Sequence, residues 1–127
     1  MSDDGNPLAR HGGLSYLHIP AVDPRASAGF YERLFGWRID HRGGDDFRFS
    51  DPAGLLIGAW VTNRVAAATA GFVPYIYVDD VARVLADAPA GGGAVVEPAR
   101  AEGDILIAQV RDPAGNVVGV WQFAPRG

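Results

Sequence analysis

The chain contains no cysteine and no lysine. The first absence excludes disulfides, thiolate nucleophiles and thiolate-held metals together, so any chemistry falls to other side chains. The second leaves arginine as the only long cationic side chain; 11 such residues against 15 Asp and Glu give a net charge of −4. With no basic cluster, the phosphate-neutralising footprint of a nucleic-acid binder is missing. No apolar run nears the roughly 20 residues needed to cross a bilayer, which predicts no membrane span. The opening MSDDGNPLARHGG has no apolar stretch resembling a signal peptide. This gives the expectation of a cytoplasmic protein with a flexible N-terminus over residues 1–12. A nucleophile-elbow GxSxG, a phosphate-binding glycine loop and a dinucleotide fingerprint are also lacking, and GGGAVV at Gly91 reads as a turn from helix to strand.

What the chain does contain is a phrase written twice: DPAGLLIGAW from Asp51 and DPAGNVVGVW from Asp112. The segments upstream repeat as well. LSYLHIPAVDPRASAGFYERLFGW opens with strand-like alternation from Leu14 to Pro20 and turns helical at Asp23. Asp23 suits an N-cap, Pro24 suits the first helical position, and Ser27, Phe30, Tyr31 and Leu34 fall on one helical face before Gly36 stops the helix. In the second copy, VPYIYVDDVARVLADAPAGGGAVV, Asp80 takes the place of Asp23 and Gly93 that of Gly36, with Val81, Val84, Leu85 and Ala88 as the apolar face. Strand-like stretches follow each helix and are bent by the Asp-Pro-Ala-Gly turn. Each half therefore reads strand, helix, strand, strand, strand, which predicts an internal duplication. A length of 127 residues fits one domain. We assign it to residues 13–127, with module one at 13–62, a linker at 63–71 and module two at 72–124.

The words FYERLFGW, YVDDV and DPAGNVVGVWQ resemble the vicinal oxygen chelate superfamily, which includes glyoxalase I, bleomycin-resistance proteins and extradiol dioxygenases. The resemblance covers about residues 14 to 123. It implies an α+β fold in which two βαβββ modules form an open eight-stranded barrel-like sheet with the helices outside, and it implies a homodimer. In metal-dependent members a ligand sits on each module's first strand, seven residues before the capping Asp, at positions that are Tyr16 and Val73 here. The others lie seven residues past each turn Asp, at Gly58 and Gly119. A divalent cation needs several fixed lone pairs, which this set does not supply, so no metal and no cofactor are expected. The two glycines are expected to leave open space instead.

Strand alternation, anchored on those positions, predicts which side chains line the hollow. Tyr16 and His18 come from the first strand, Val73, Tyr75 and Tyr77 from its counterpart, and Leu56, Gly58 and Trp60 with Val117, Gly119 and Trp121 from the strands after the turns. Leu17, Ile19, Phe72, Ile76 and Val78 are left to cover the core. Phe30, Tyr31, Phe35 and Trp37 read as helix packing. His41, Arg42 and Arg48 read as a solvated hairpin end, and Glu97, Glu102 and Asp104 as solvation in or beside a loop.

A wall of aromatic faces, hydroxyls and one imidazole suits a flat or extended organic ligand. The expected function is a metal-independent small-molecule binder of the bleomycin-resistance type, with Tyr16, His18, Trp60, Tyr75, Tyr77 and Trp121 as ligand contacts. One alternative is a cofactor-free lyase or isomerase acting on a natural-product-like substrate, with His18 as catalytic base and a tyrosine steadying an enolate. Another is an interaction protein whose cavity is filled by its own tryptophans.

Overall fold

The computed structural model describes residues 6–125. The first half runs β1 (Tyr16–Pro20), α1 (Pro24–Phe35), β2 (Arg38–His41), β3 (Phe47–Ser50) and β4 (Ile57–Val61). The second repeats the order as β5 (Tyr75–Tyr77), α2 (Val81–Asp87), β6 (Ala94–Glu102), β7 (Ile105–Arg111) and β8 (Val117–Phe123). Two four-stranded sheets result, ordered β1-β4-β3-β2 and β5-β8-β7-β6. In each, the strand before the helix pairs in parallel with the last strand, while the remaining pairs are antiparallel. The helix supplies the long crossover that parallel pairing demands, and short turns serve the rest. This is the predicted α+β architecture of two βαβββ modules.

Both helices start as their sequences require. The Asp23 carboxylate accepts from the Arg25 amide at 3.1 Å with Pro24 just inside the helix, and the Asp80 carboxylate accepts from the Arg83 amide at 3.2 Å. Gly36 closes α1 in the left-handed conformation at φ 70°, its amide donating to the Glu32 carbonyl. The expected stop of α2 at Gly93 is corrected, since that helix ends at Asp87 with Ala88 as its cap. Pro89 has no amide with which to continue the ladder, and residues 89–92 form tight turns. Gly93 serves close packing instead: a Cβ there would lie 2.2 Å from the Arg111 carbonyl oxygen and 2.6 Å from Cε1 of Phe30. The helix of the first half thus packs directly on the backbone of the second.

One core consequently runs through both halves. Ile19, Phe30, Tyr31, Trp37, Phe49 and Trp60 cluster with Ala88, Val110 and Val118, and a smaller group of Val78, Val81, Val84, Ala108 and Val120 lies under α2. Leu34, Phe35, Ile76 and Leu85 pack against both. At about 1.5–3 kcal/mol for each large side chain fully buried, this shared core is the main force holding the halves together. Leu17, Ile19, Ile76 and Val78 take the core-side places predicted for them. Phe72 does not: it is 100% exposed. The sheet begins only at Tyr75, after Pro74, so Phe72 belongs to the linker rather than to a strand.

Two further expectations are revised. Glu97 and Glu102 lie on β6 rather than in a loop, with Asp104 in the turn that follows. Residues 1–5 of the expected N-terminal segment lie outside the described residues, whereas Arg10 sits on the carbonyls of Leu14 and Leu55 at 2.8 and 3.2 Å. At the hairpin end, Arg42 and Arg48 pair with Asp40 and Asp46 in solvent, and His41 stacks on Phe47.

Candidate functional site

The two copies of the repeated phrase do not fold alike. After Asp51 the turn closes with the Asp51 amide donating to Leu56, whereas after Asp112 the amide donates to Asn116, one residue sooner. His18 and Tyr75 hold the same place relative to their capping aspartates, yet His18 pairs with Ala59 and Tyr75 with Gly119. The first turn is one residue longer. Because side chains alternate along a strand, that single residue turns β4 over relative to β8. Gly58 and Trp60 face α1, while Gly119 and Trp121 face away from the helices.

This overturns the expected placement of Trp60 in the hollow. Its ring is 3% exposed and packs on Tyr31 and Phe49, at centroid distances of 5.7 and 4.9 Å. Nor do the two glycines leave open space. A Cβ on Gly58 would meet the Leu17 carbonyl and the Phe49 ring, the latter at 2.5 Å, and a Cβ on Gly119 would stand 2.4 Å from the Tyr75 ring. Each gap is filled by an aromatic neighbour.

Tyr16, His18, Tyr75, Tyr77 and Trp121 occupy the sheet faces turned away from the helices, but not one common place. A cavity of about 450 Å³ opens between β1 and the β5–β8 pair and brings together His18 and Tyr75. Apart from Asn116 its other walls are apolar or aromatic, including Leu17, Trp37, Leu56 and Ile76, with the linker over one side from Ala67 to Phe72. Both halves therefore line a single hollow. Tyr16 packs edge-on to His18 at 5.3 Å, just outside it. Tyr77 and Trp121 meet edge-on at 5.1 Å further along the second sheet.

The floor at the end of β1 holds a polar network that the residue pattern did not point to. Asp112 is only 3% exposed. Its Oδ2 accepts from the Tyr31 hydroxyl at 2.9 Å and from Asn116 Nδ2 at 2.8 Å, and its Oδ1 from the amides of Ala114 and Asn116 at 3.0 and 2.9 Å. Asn116 Nδ2 also donates to the Pro20 carbonyl at 2.7 Å. Four donors satisfy the buried carboxylate, and the Tyr31–Asp112 and Asn116–Pro20 bonds cross from one half to the other. Burial, then the Asp112 charge and the hydrogen bond to it, push the Tyr31 hydroxyl pKa well above its ordinary value. Tyr31 is thus a neutral donor locked to a carboxylate. The sequence signal was the asparagine of DPAGN, which has leucine as its counterpart in DPAGL.

A resident cation does not fit. The positions that carry ligands in metal-dependent relatives offer Tyr16, Val73 and two glycines, of which one is turned to the core and the other lies under a phenol ring. Among the described residues, no three His, Cys, Asp or Glu side chains come together in a group able to hold a metal ion. Glu102 on β6 is engaged in an exposed pair with Arg100 at 3.2 Å.

The fold, with its sheet-bounded hollow shared by two βαβββ halves, defines a glyoxalase-like protein. Residues 16–121 match the glyoxalase-like domain family, and the chain belongs to it. No curated protein sequence matches it. Among solved structures it is similar to a glyoxalase/bleomycin resistance protein/dioxygenase family enzyme from Burkholderia phytofirmans PsJN, with 19% identity, TM-score 0.73, and 87% of this chain and 98% of that one covered. A glyoxalase-related enzyme from Fulvimarina pelagi has 23% identity and TM-score 0.69 over 86% of each chain. TnmS3, an antibiotic binding protein from Streptomyces sp. CB03234, has 20% identity and TM-score 0.65, covering 87% of this chain and 95% of that one. At such identities the likeness concerns the fold.

Proposed function

We propose that the protein is a metal-independent small-molecule binding protein that holds an uncharged, largely apolar organic ligand between its two halves. The observation carrying this reading is the cavity of about 450 Å³, whose lining includes no Asp, Glu or Arg among the described residues. Its volume falls within the roughly 300–1,000 Å³ of small-molecule sites. Burying an ion against such walls would cost several kcal/mol without a partner, whereas each buried Å² of apolar ligand contributes about 25 cal/mol before association entropy is subtracted. His18, Asn116 and Tyr75 offer the few polar contacts that orient a ligand. An antibiotic-binding protein of the same fold supports the reading.

Native mass spectrometry of freshly purified protein, with parallel metal analysis, tests it. A co-purified organic molecule without stoichiometric metal is the expected result. Titration with the neutral fluorophore 1-aminoanthracene should show saturable binding that Ala70→Trp, placed to fill the hollow, abolishes. Binding unaffected by that substitution overturns the proposal.

A second reading, a cofactor-free lyase or isomerase, draws support from His18 and Tyr75 sharing the cavity. It needs His18 as base, so an unchanged turnover in His18→Ala would reject it. In either reading we propose a cytoplasmic homodimer. Among the described residues no helix is long and apolar enough to cross a membrane. The edge strand β6 is exposed along its whole length and carries an unpaired row of backbone groups, which a second copy would cover by pairing edge to edge. Light scattering that gives a monomer mass at micromolar concentration would remove the dimer.

A further inference from the structure

A second hollow of about 580 Å³ lies on the outer face of the second sheet. Ile105, Ile107, Trp121 and Phe123 floor it, and the Arg100–Glu102 pair stands at its side. Among the described residues, Tyr75 alone borders both this hollow and the cavity between the halves.

Three observations fix what its ring does there. It lies flat over Gly119, at a distance a single added methyl would violate, so the glycine is the seat of the ring. Its hydroxyl accepts from Gln109 Nε2 at 3.1 Å, which sets the ring's direction across β8 from strand β7. The side chain is 44% exposed and belongs to neither core cluster, so little packing opposes its rotation. Side chains of this kind change rotamer on fast timescales.

The geometry points to Tyr75 as a movable partition that sets the length of ligand the protein accepts. With the ring seated on Gly119, the inner cavity takes a compact uncharged molecule. With the ring displaced, the inner cavity joins the outer hollow, and an elongated aromatic molecule spans both, its far end resting on Trp121 and Phe123. Aromatic rings there gain both burial and offset or edge-on contact. Gln109 is a positioning residue, since it acts on the ligand only through the ring.

This assignment rests on the cavity reading above, and the test separates the two. Two neutral probes are titrated by fluorescence: compact 1-aminoanthracene and rod-like 1,6-diphenylhexatriene. Tyr75→Ala is expected to raise the affinity for the rod relative to that for the compact probe at least about tenfold, because only the rod gains new buried surface. Gly119→Ala, which keeps the phenol but removes its seat, is expected to shift the preference in the same direction. Tyr75→Phe and Gln109→Leu, which remove the same hydrogen bond, should each weaken the size selection without abolishing it. Parallel changes for both probes in Tyr75→Ala would overturn the partition, as would a Gly119→Ala crystal structure with the ring still in place. Should the wild-type protein bind neither probe, the cavity reading falls, and the crystal structure of Tyr75→Ala decides the partition alone: one continuous hollow sustains it, and collapse of the linker into the gap refutes it.

Discussion

The turn after Asp51 and the turn after Asp112 begin with the same four residues and perform different work. The first is a surface turn: Asp51 Oδ1 accepts from the Leu55 and Leu56 amides, and the loop takes one residue more before β4 begins. The second is drawn inward, its aspartate buried among four donors and its asparagine tied to Pro20 of the other half. The same tryptophan in the two phrases is consequently a core ring in one sheet and a half-buried ring on the outer face of the other. The difference shows that two modules of the same plan can differ through turn length alone, because one residue redirects a whole strand without changing any of its residues.

Removing that difference should have the largest effect. Deletion of Leu55 equalises the turns and would carry Trp60 out of its Tyr31–Phe49 stack onto the outer face, while Ala59 or Val61 met the core. Against a total stability of about 5–15 kcal/mol for an ordinary domain, loss of this ring and its neighbours should leave the protein largely unfolded at 25 °C. Circular dichroism would show it; a folded, cooperative deletion variant would mean that the register does not depend on the turn.

The two tryptophans sharpen the same contrast. Trp60→Ala should destabilise by about 3–5 kcal/mol in urea denaturation, as expected for a large aromatic removed from a packed core. Trp121→Ala should cost about 1 kcal/mol or less, in keeping with the small effects of partly exposed positions. Equal losses would contradict the assigned faces. The aspartates come next. Asp112→Ala strips the acceptor from four donors and should cost about 2–4 kcal/mol, since hydrogen bonds to a charged group contribute about 1.5–3 kcal/mol and the buried donors are left unmet. Asp51→Ala should cost about 1 kcal/mol or less, because water replaces the lost acceptor.

The fold was legible because its signals are local. Asp23, Pro24 and Gly36 punctuate α1, the apolar faces follow helical and strand periods, and the repetition doubles every signal. The parity of β1, β5 and β8 was legible for the same reason. That of β4 was not, because the phrases align without a gap and the additional turn residue shows only in which carbonyl receives the Asp51 amide. Two local strings that match letter for letter carry no record of where a ladder begins. The Tyr31–Asp112 bond was hidden for a different reason: it joins residues far apart in the chain, and each alone resembled an ordinary helix aromatic and an ordinary turn acid. The wall formed by the linker was likewise out of reach, since an alanine-rich stretch gives no sign of the cavity it borders.

The gentlest probe of the comparison is pH, because Tyr31 is tied to the inward turn and nothing similar touches the outward one. Its folded pKa is raised well above the ordinary value of 10.0 by burial and by Asp112. In the unfolded chain the phenol ionises near that ordinary value, so above it the unfolded state binds fewer protons than the folded state, and stability falls as pH rises. The contribution is complete below pH 10 and is lost on the way to the folded pKa, with a slope approaching about 1.4 kcal/mol per pH unit for one group. Tyr31→Phe lowers stability at neutral pH by removing the bond to Asp112, yet it should flatten this alkaline slope. Urea midpoints for the two proteins should therefore converge between pH 10 and 11. Parallel curves would mean that the hydroxyl ionises as easily in the folded protein as in the unfolded chain, and that the inward turn does not hold it as a neutral donor.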